Sequence, residues 1–318
     1  MLEVCTSHPI PRTSDFALRT SHFGLVIAML PQLLVSGLVT GSLYALVALG
    51  LVIIYKTSQV LNFAQGEMAM VSTFVTFTLL KTLHIPFPLA FLMAIGMAFL
   101  LGAMIEIALL RPAKTPSLLG LIIITLGIQQ ILYGTAGWIW GYDTKSFPSP
   151  LSDTKIYRFG GVIISELSLW ILTVSVVLML AFLLFFRYTR MGIAMRAVSQ
   201  NPTTARLMGV RVPQISSLTW GIASVLGAVA GILIAPITFL DPNMMLSPLL
   251  KAFAAATLGG INSLAGAIVG GGILGILENL VGGYVTPELK ESVAFFVIVL
   301  VLCIKPGGIL GRHYKRRV

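Results

Sequence analysis

The sequence predicts an all-α polytopic membrane protein, a bundle of about 8–10 transmembrane or partly re-entrant helices. Three observations predict it. Of 318 residues, 57% are hydrophobic and only 10% charged, with a mean hydropathy of +0.95; a soluble domain does not have this composition. Several uncharged runs reach the ~20 residues that a helix needs to cross the hydrocarbon core. The positive charge is also placed unevenly. Arg187, Arg190, Arg196, Arg206 and Arg211 fall in one stretch with no acid among them, and Arg312, Lys315, Arg316 and Arg317 close the chain. Basic segments flanking apolar runs mark the cytoplasmic side, so both segments are expected there. The same placement accounts for the net charge of +10 without invoking a nucleic acid.

The uncharged runs, in order, are 33–55, 85–105, 117–140, 167–186, 212–240 and 252–277. Two shorter runs, 68–80 and 292–304, are extended by Glu67 and Lys81 and by Lys290 and Lys305. Long lysine stems reach back to the interface, so these runs also serve as spans. Backbone in lipid must satisfy its own hydrogen bonds, which makes every run a helix. Parity adds one more segment. The arginine loop and the basic tail share a side, so an even number of crossings separates them, yet only three runs do. Region 244–283 carries Gly259-Gly260 and Gly270-Gly271-Gly272. It is expected to hold a short span near 244–260 and a second near 264–283.

Segment 141–166 has balanced charge and two prolines, Pro148 and Pro150, and fits the outer face as a non-helical connection. Trp138, Trp140 and Tyr142 read as an aromatic belt at that end of a span. Residues 1–28 form a polar extension without a signal-peptide core, and Met29 is a candidate start of translation. Small-xxx-small pairs, Gly37/Gly41, Gly227/Gly231, Gly266/Gly270 and Gly271/Gly275, are expected to pack helices closely, within the chain or against a second membrane subunit.

Absences narrow the function. No GK dipeptide occurs, so the chain has no P-loop of its own, and neither H-E-x-x-H nor G-x-S-x-G is present. Cys5 and Cys303 make no metal cluster or disulfide framework. His8, His22, His84 and His313 lie outside the spans or at an edge. Transport is therefore expected rather than catalysis, with a passive channel and an intramembrane enzyme as rival classes.

Two polar blocks stand out. In NFAQGE, Asn62 with Gln65 three residues on reads as a capping-box variant. Glu67 then lies in the first helical turn, where the helix dipole favours a carboxylate, at the membrane interface. In residues 190–214, Asn201 is an N-cap, Pro202 a first helical residue and Gly209 a left-handed terminator. They frame a short helix at about 202–208 after a helical turn through 192–198. It serves either as a docking element or as a topogenic basic loop. Among single charges, Glu106 and Arg111 suggest a local ion pair. Lys251 is buried if 244–260 is a span, and Glu278 is placed at an interface.

At this point the chain resembles the membrane subunits of branched-chain amino acid ABC importers of the LivH type. The resemblance rests on GLVTGSLYALVALGLVIIYKT at 37–57, NFAQGE at 62–67, RAVSQNPTTARLMGV at 196–210, the glycine-rich 250–278 and KPGGILGR at 305–312. It implies a permease domain over 29–312 with a basic cytoplasmic tail at 313–318, in a bacterial inner membrane. It further implies a second permease subunit, two cytoplasmic ATPase subunits that use the ATP, and a periplasmic substrate-binding protein. This chain would bind no cofactor. Arg196, Asn201, Ala205, Arg206, Leu207 and Gly209 would form the region coupled to the ATPases. Asn62, Gln65, Gly66 and Glu67 would form a polar helix start near the inner mouth of the pathway. Urea or short amides are the alternative cargo.

Overall fold

A computed structural model describes residues 13–113, 117–148, 155–159 and 162–311, with backbone alone for 13–28 and 118. The expected extension 1–28 lies outside the described residues up to residue 12, as does the basic tail 313–318 with Arg312.

Eleven α-helices are present among the described residues: α1 (Thr13–Ser58), α2 (Gln65–Lys81), α3 (Phe87–Ile105), α4 (Leu118–Trp140), α5 (Glu166–Tyr188), α6 (Arg190–Gln200), α7 (Pro202–Leu207), α8 (Val212–Thr238), α9 (Leu246–Gly259), α10 (Leu264–Tyr284) and α11 (Lys290–Ile304). Six of them, α1 from Met29, α3 with its π-helical extension, α4, α5, α8 and α10, are long and apolar enough to cross a membrane. The 17-residue α2, the 14-residue α9 and the 15-residue α11 run alongside. The glycine-broken region thus resolves into two helices, α9 and α10, close to the expected bounds.

Four helix starts use a hydroxyl cap. Ser117, Ser165, Thr189 and Ser263 accept the N–H of Gly120, Ser168, Gly192 and Gly266 at the heads of α4, α5, α6 and α10. Each satisfies one of the donors that a helix N-terminus leaves free. The tail of α9 is satisfied differently. Residues 305–311 fold back so that Ile309 N donates to Leu258 O at 2.8 Å and Leu310 N to Gly259 O at 3.0 Å. The KPGGILGR block therefore closes the carbonyl end of α9, with Gly260 and Gly308 both at positive φ.

Contacts at the helix ends fix an alternating direction. On one face Gln32 bonds both backbone groups of Ile163, Trp140 reaches Thr78, and Lys145 pairs with Leu240. On the other, Lys56 reaches Asn262 O, Arg111 reaches Pro213 O, and α6 lies beside the ends of α1 and α5, with α7 beside α8. Region 141–166 holds a two-stranded antiparallel hairpin, β1 (Ile156–Phe159) and β2 (Val162–Ser165).

The core lies where α1, α2, α8, α9 and α10 meet. All four small-xxx-small pairs are spent inside this chain, and none is left for a second subunit. A Cβ on Gly37 would sit 2.7 Å from Ile276 Cα, and one on Gly41 2.7 Å from Gly271 O, so α1 and α10 touch backbone to backbone. Gly227 and Gly231 press on Gln65, Ala69 and Thr73 of α2, and Gly266 and Gly270 on Gly259 and Ala255 of α9. The aromatic belt is also corrected in part. Trp138 is 86% exposed. Trp140 instead turns inward, stacks on Phe74 and donates its Nε1 to Thr78 Oγ1, because its indole N–H needs a partner once half-buried.

Candidate functional site

The Asn62–Glu67 block is the hub of the bundle. Asn62 and Gln65 are completely buried, at 0% exposure, and Glu67 at 7%. The expected capping box is absent: Ala64 occupies the N-cap position of α2 with no side-chain bond to the helix. Asn62 works one step earlier. Its Oδ1 accepts from Ala64 N at 3.1 Å, turning the chain out of α1, while its Nδ2 donates to Gln65 Oε1 at 3.1 Å. This is the local side-chain turn that asparagine offers a backbone in place of helix. Gln65 Nε2, thus oriented, donates to Ala223 O of α8 at 2.7 Å. It fits because Gly50 of α1 and Gly227 of α8 present no side chain; a Cβ at either would lie within 2.8 Å of that nitrogen. Gly66 faces Met245 and, on α9, Leu249, and Phe63 packs on Phe253 of the same helix at 5.3 Å. One short block therefore touches α1, α8 and α9.

Glu67, in the first turn of α2, is enclosed by the bundle. It lies inside, against Gln129 of α4, and its Oε2 has no partner among the described residues. An under-satisfied buried carboxylate is costly in lipid and marks a site rather than a packing residue.

The arginine loop forms the second site. Gly192, Met195 and Val198 seat α6 on the bundle. Arg196 donates to Arg187 O at 3.0 Å and lies over the Phe186 ring, so it secures α6 to α5. Asn201 Oδ1 accepts from Thr203 N and Thr204 N, with Pro202 opening α7, as its sequence predicts. Ala205 is buried, whereas Leu207 and Met208 are 83% and 80% exposed at the tip. Gly209 takes φ +82° and turns the chain directly into α8. An open cavity of about 540 Å³ beside this bend is lined by Arg206, Gly209, Arg211 and, from the end of α3, Arg111.

Two ion-pair clusters complete the polar map. The π-helical turn Glu106–Leu110 brings residues five apart into register. Arg111 Nη2 lies 3.0 Å from Glu106 Oε2, and both meet Ser217 Oγ at 2.6 Å. This is the expected local pair, enlarged by a serine that no motif singles out. The second cluster encloses Glu278, which is 2% exposed. Lys251 Nζ lies 2.7 Å from Glu278 Oε1 and 3.1 Å from Glu291 Oε1, and Glu291 also accepts from Ser247. Tyr44 lies against the Glu278 carboxylate, and its ring lies beneath the ammonium. The reason is α9: once 246–259 is a separate helix, Lys251 lies inside and needs a buried counter-charge.

A family model described as a branched-chain amino acid transport system permease component matches residues 33–302. The chain belongs to this permease family. It is 33% identical to the high-affinity branched-chain amino acid transport permease LivH of Escherichia coli K12, over 90% of this chain and 97% of that protein. It is 32% identical to BraD of Pseudomonas aeruginosa, over 90% and 97%. It is 30% identical to a probable LivH of Methanocaldococcus jannaschii, over 90% and 94%. No solved structure matches it. The relatives are named as transport permeases, and this permease is a multi-pass membrane transport subunit, not an enzyme. The NFAQGE hub and the arginine loop both lie within the matched span.

Proposed function

We propose that this permease is the membrane-spanning subunit of an ATP-driven importer for branched-chain amino acids, in a bacterial inner membrane. The observation that carries the reading is the similarity, across nine-tenths of the chain, to permeases named for branched-chain amino acid transport. The α6–α7 pair supports it, because a capped and rigid helix with an exposed apolar tip suits a docking element better than a bare topogenic loop does. In this reading α6, α7 and the end of the chain face the cytoplasm. One of the two ATPase subunits seats on Leu207 and Met208, and a periplasmic binding protein delivers substrate to the hairpin face. A second permease subunit completes the pathway.

The route of coupling follows from the connections. Motion at α7 passes through Gly209 into α8, whose Ala223 carbonyl holds Gln65. A shift of α8 therefore moves the head of α2, where Glu67 lies. Arg196 and Asn201 keep the loop rigid enough to transmit the push, and Ala205 seats α7 on the bundle. Two experiments test the proposal. Co-expression with the neighbouring genes should capture an ATPase on the purified chain; capture of none sinks the importer reading. In reconstituted vesicles, unlabelled leucine should suppress labelled leucine uptake while urea leaves it unchanged. Suppression by urea, or flux without ATP, sinks the cargo or the pump assignment.

A further inference from the structure

Three arginines converge on the open cavity of about 540 Å³ between the end of α3 and the bend from α7 into α8. They come from separate places in the chain: Arg111 from the end of α3, Arg206 from α7 and Arg211 from the link into α8. Among the described residues no acid lines the cavity, and the side chains of Arg206 and Arg211 have no partner. Arg111 is held from behind. Buried Glu106, Ser217 Oγ and Pro213 O all bond its Nη2, which leaves Nη1 and Nε for another group. The positive end of the 27-residue α8 faces the same opening through Val212, Pro213 and Gln214. Like charges gathered at one opening repel each other, and an anion seated among them relieves that repulsion.

The level of the cavity and its surroundings say which anion. Helices α3 and α8 are both long and apolar enough to cross a membrane. A cavity at the end of one and the head of the other therefore lies at the membrane surface, level with lipid headgroups. On α3 the side chains of Met93, Leu100, Met104 and Ile107 are exposed and recur at helical spacing, and this row ends four residues before Arg111. A lipid whose chains lie on the row brings its phosphate to the arginines. Basic pockets between membrane helices suit anionic headgroups, and a guanidinium takes a phosphate through paired N–H bonds. A Cβ at Gly209 would meet nothing within 4 Å, so the bend is open to the headgroup. An acidic protein segment would match the charge but leave the α3 row uncovered.

We propose that this cavity binds the phosphate headgroup of an anionic phospholipid whose acyl chains lie along α3. The site requires only the membrane placement of α3 and α8, so it stands or falls apart from the importer reading. A bound headgroup ties the end of α3 to the bend that leads from the arginine loop into α8.

The test uses the chain purified together with its partners, stripped of lipid in a neutral detergent, and counts bound lipid by native mass spectrometry. Phosphatidylglycerol should bind more tightly than phosphatidylcholine; equal affinity overturns the proposal. Arg206→Gln with Arg211→Gln should weaken phosphatidylglycerol about 30-fold, the effect of removing two basic side chains from an anionic membrane surface; unchanged affinity overturns it. Arg187→Gln with Arg190→Gln, outside the cavity, should leave the affinity unchanged. An equal loss there means a diffuse basic surface and overturns the site. Millimolar inorganic phosphate should not displace the lipid; displacement means a soluble anion and overturns the lipid assignment. The unaltered protein supplies a second readout. Phosphatidylglycerol with a photoreactive group in its acyl chain should label α3, and labelling confined to other helices refutes the placement. If the intact assembly binds no phosphatidylglycerol while the chain freed of its partners does, a partner protein fills the cavity and the proposal fails.

Discussion

Lys251→Met tests whether the buried ion pair is a structural necessity created by α9. The lysine and Glu278 side chains are 8% and 3% exposed, and they meet at 2.7 Å. Removing the ammonium leaves Glu278 with only the Tyr44 hydroxyl, and its Oε2 is already without a partner. Orphaning one member of a buried pair costs about 3–5 kcal/mol, on the order of 10²–10⁴ in the folded-to-unfolded ratio. Glu291 is a different case, because its side chain is 67% exposed. Exposed pairs contribute at most about 1 kcal/mol, so Glu291→Gln should be nearly silent. Replacing both buried partners together, Lys251→Met with Glu278→Leu, removes the uncompensated charge and should return to within about 1 kcal/mol of the parent. Equilibrium unfolding in mixed detergent micelles measures all four chains, with the fully buried Trp220 as a fluorescent reporter. The reasoning is refuted if the double variant is as unstable as the single one, or if Glu291→Gln costs as much as Lys251→Met.

Gly275→Leu should destabilise the bundle by about 1–3 kcal/mol through overpacking, since Gly37 and Gly41 of α1 lie against it. Gly127→Leu should change the stability of the isolated chain by less than about 0.5 kcal/mol; the same micelle assay compares the two. Gly209→Val forces a β-branched residue to φ +82°, a local strain of about 1–3 kcal/mol. Uptake should fall while membrane insertion, followed by fractionation, is retained; intact uptake would disconnect the bend from coupling. Glu67→Gln keeps the shape of the side chain and its contact with Gln129 while removing the charge. Folding stability is expected to be unchanged or higher. A loss of ATP-driven uptake in that stable variant would assign the carboxylate a role in transport, and unchanged uptake would reduce it to a helix-start residue.

Much of the fold was legible because lipid leaves the backbone few choices. Each uncharged run but 252–277 became a single helix, and there the glycine breaks had marked the split that appears as α9 and α10. The loop helix α7 was legible down to single residues, because Asn201, Pro202 and Gly209 each act on their own backbone. What the helices would touch was not legible. The small-xxx-small pairs announced close approach but could not name a partner, and all four turned out to be satisfied within the chain.

Position along a run did not show how enclosed the charged residues of the candidate site would be. Glu67 and Glu278 both lie near the ends of apolar runs, and a carboxylate at a run end is ordinarily taken for an interfacial one. Both are buried, because the ends of their helices are covered by other parts of the bundle: Glu67 by α4, Glu278 by α9 and α1. The two then diverge for a reason that spacing cannot carry. Glu278 has a lysine 27 residues away, which only the separate helix α9 brings to it. Glu67 has a single neutral amide on α4 and a free oxygen. Of these two buried carboxylates, the one compensated by a full opposite charge belongs to the architecture. The one left partly unsatisfied, at the joint between α2 and the helix that receives the arginine loop, is where transport chemistry is to be sought.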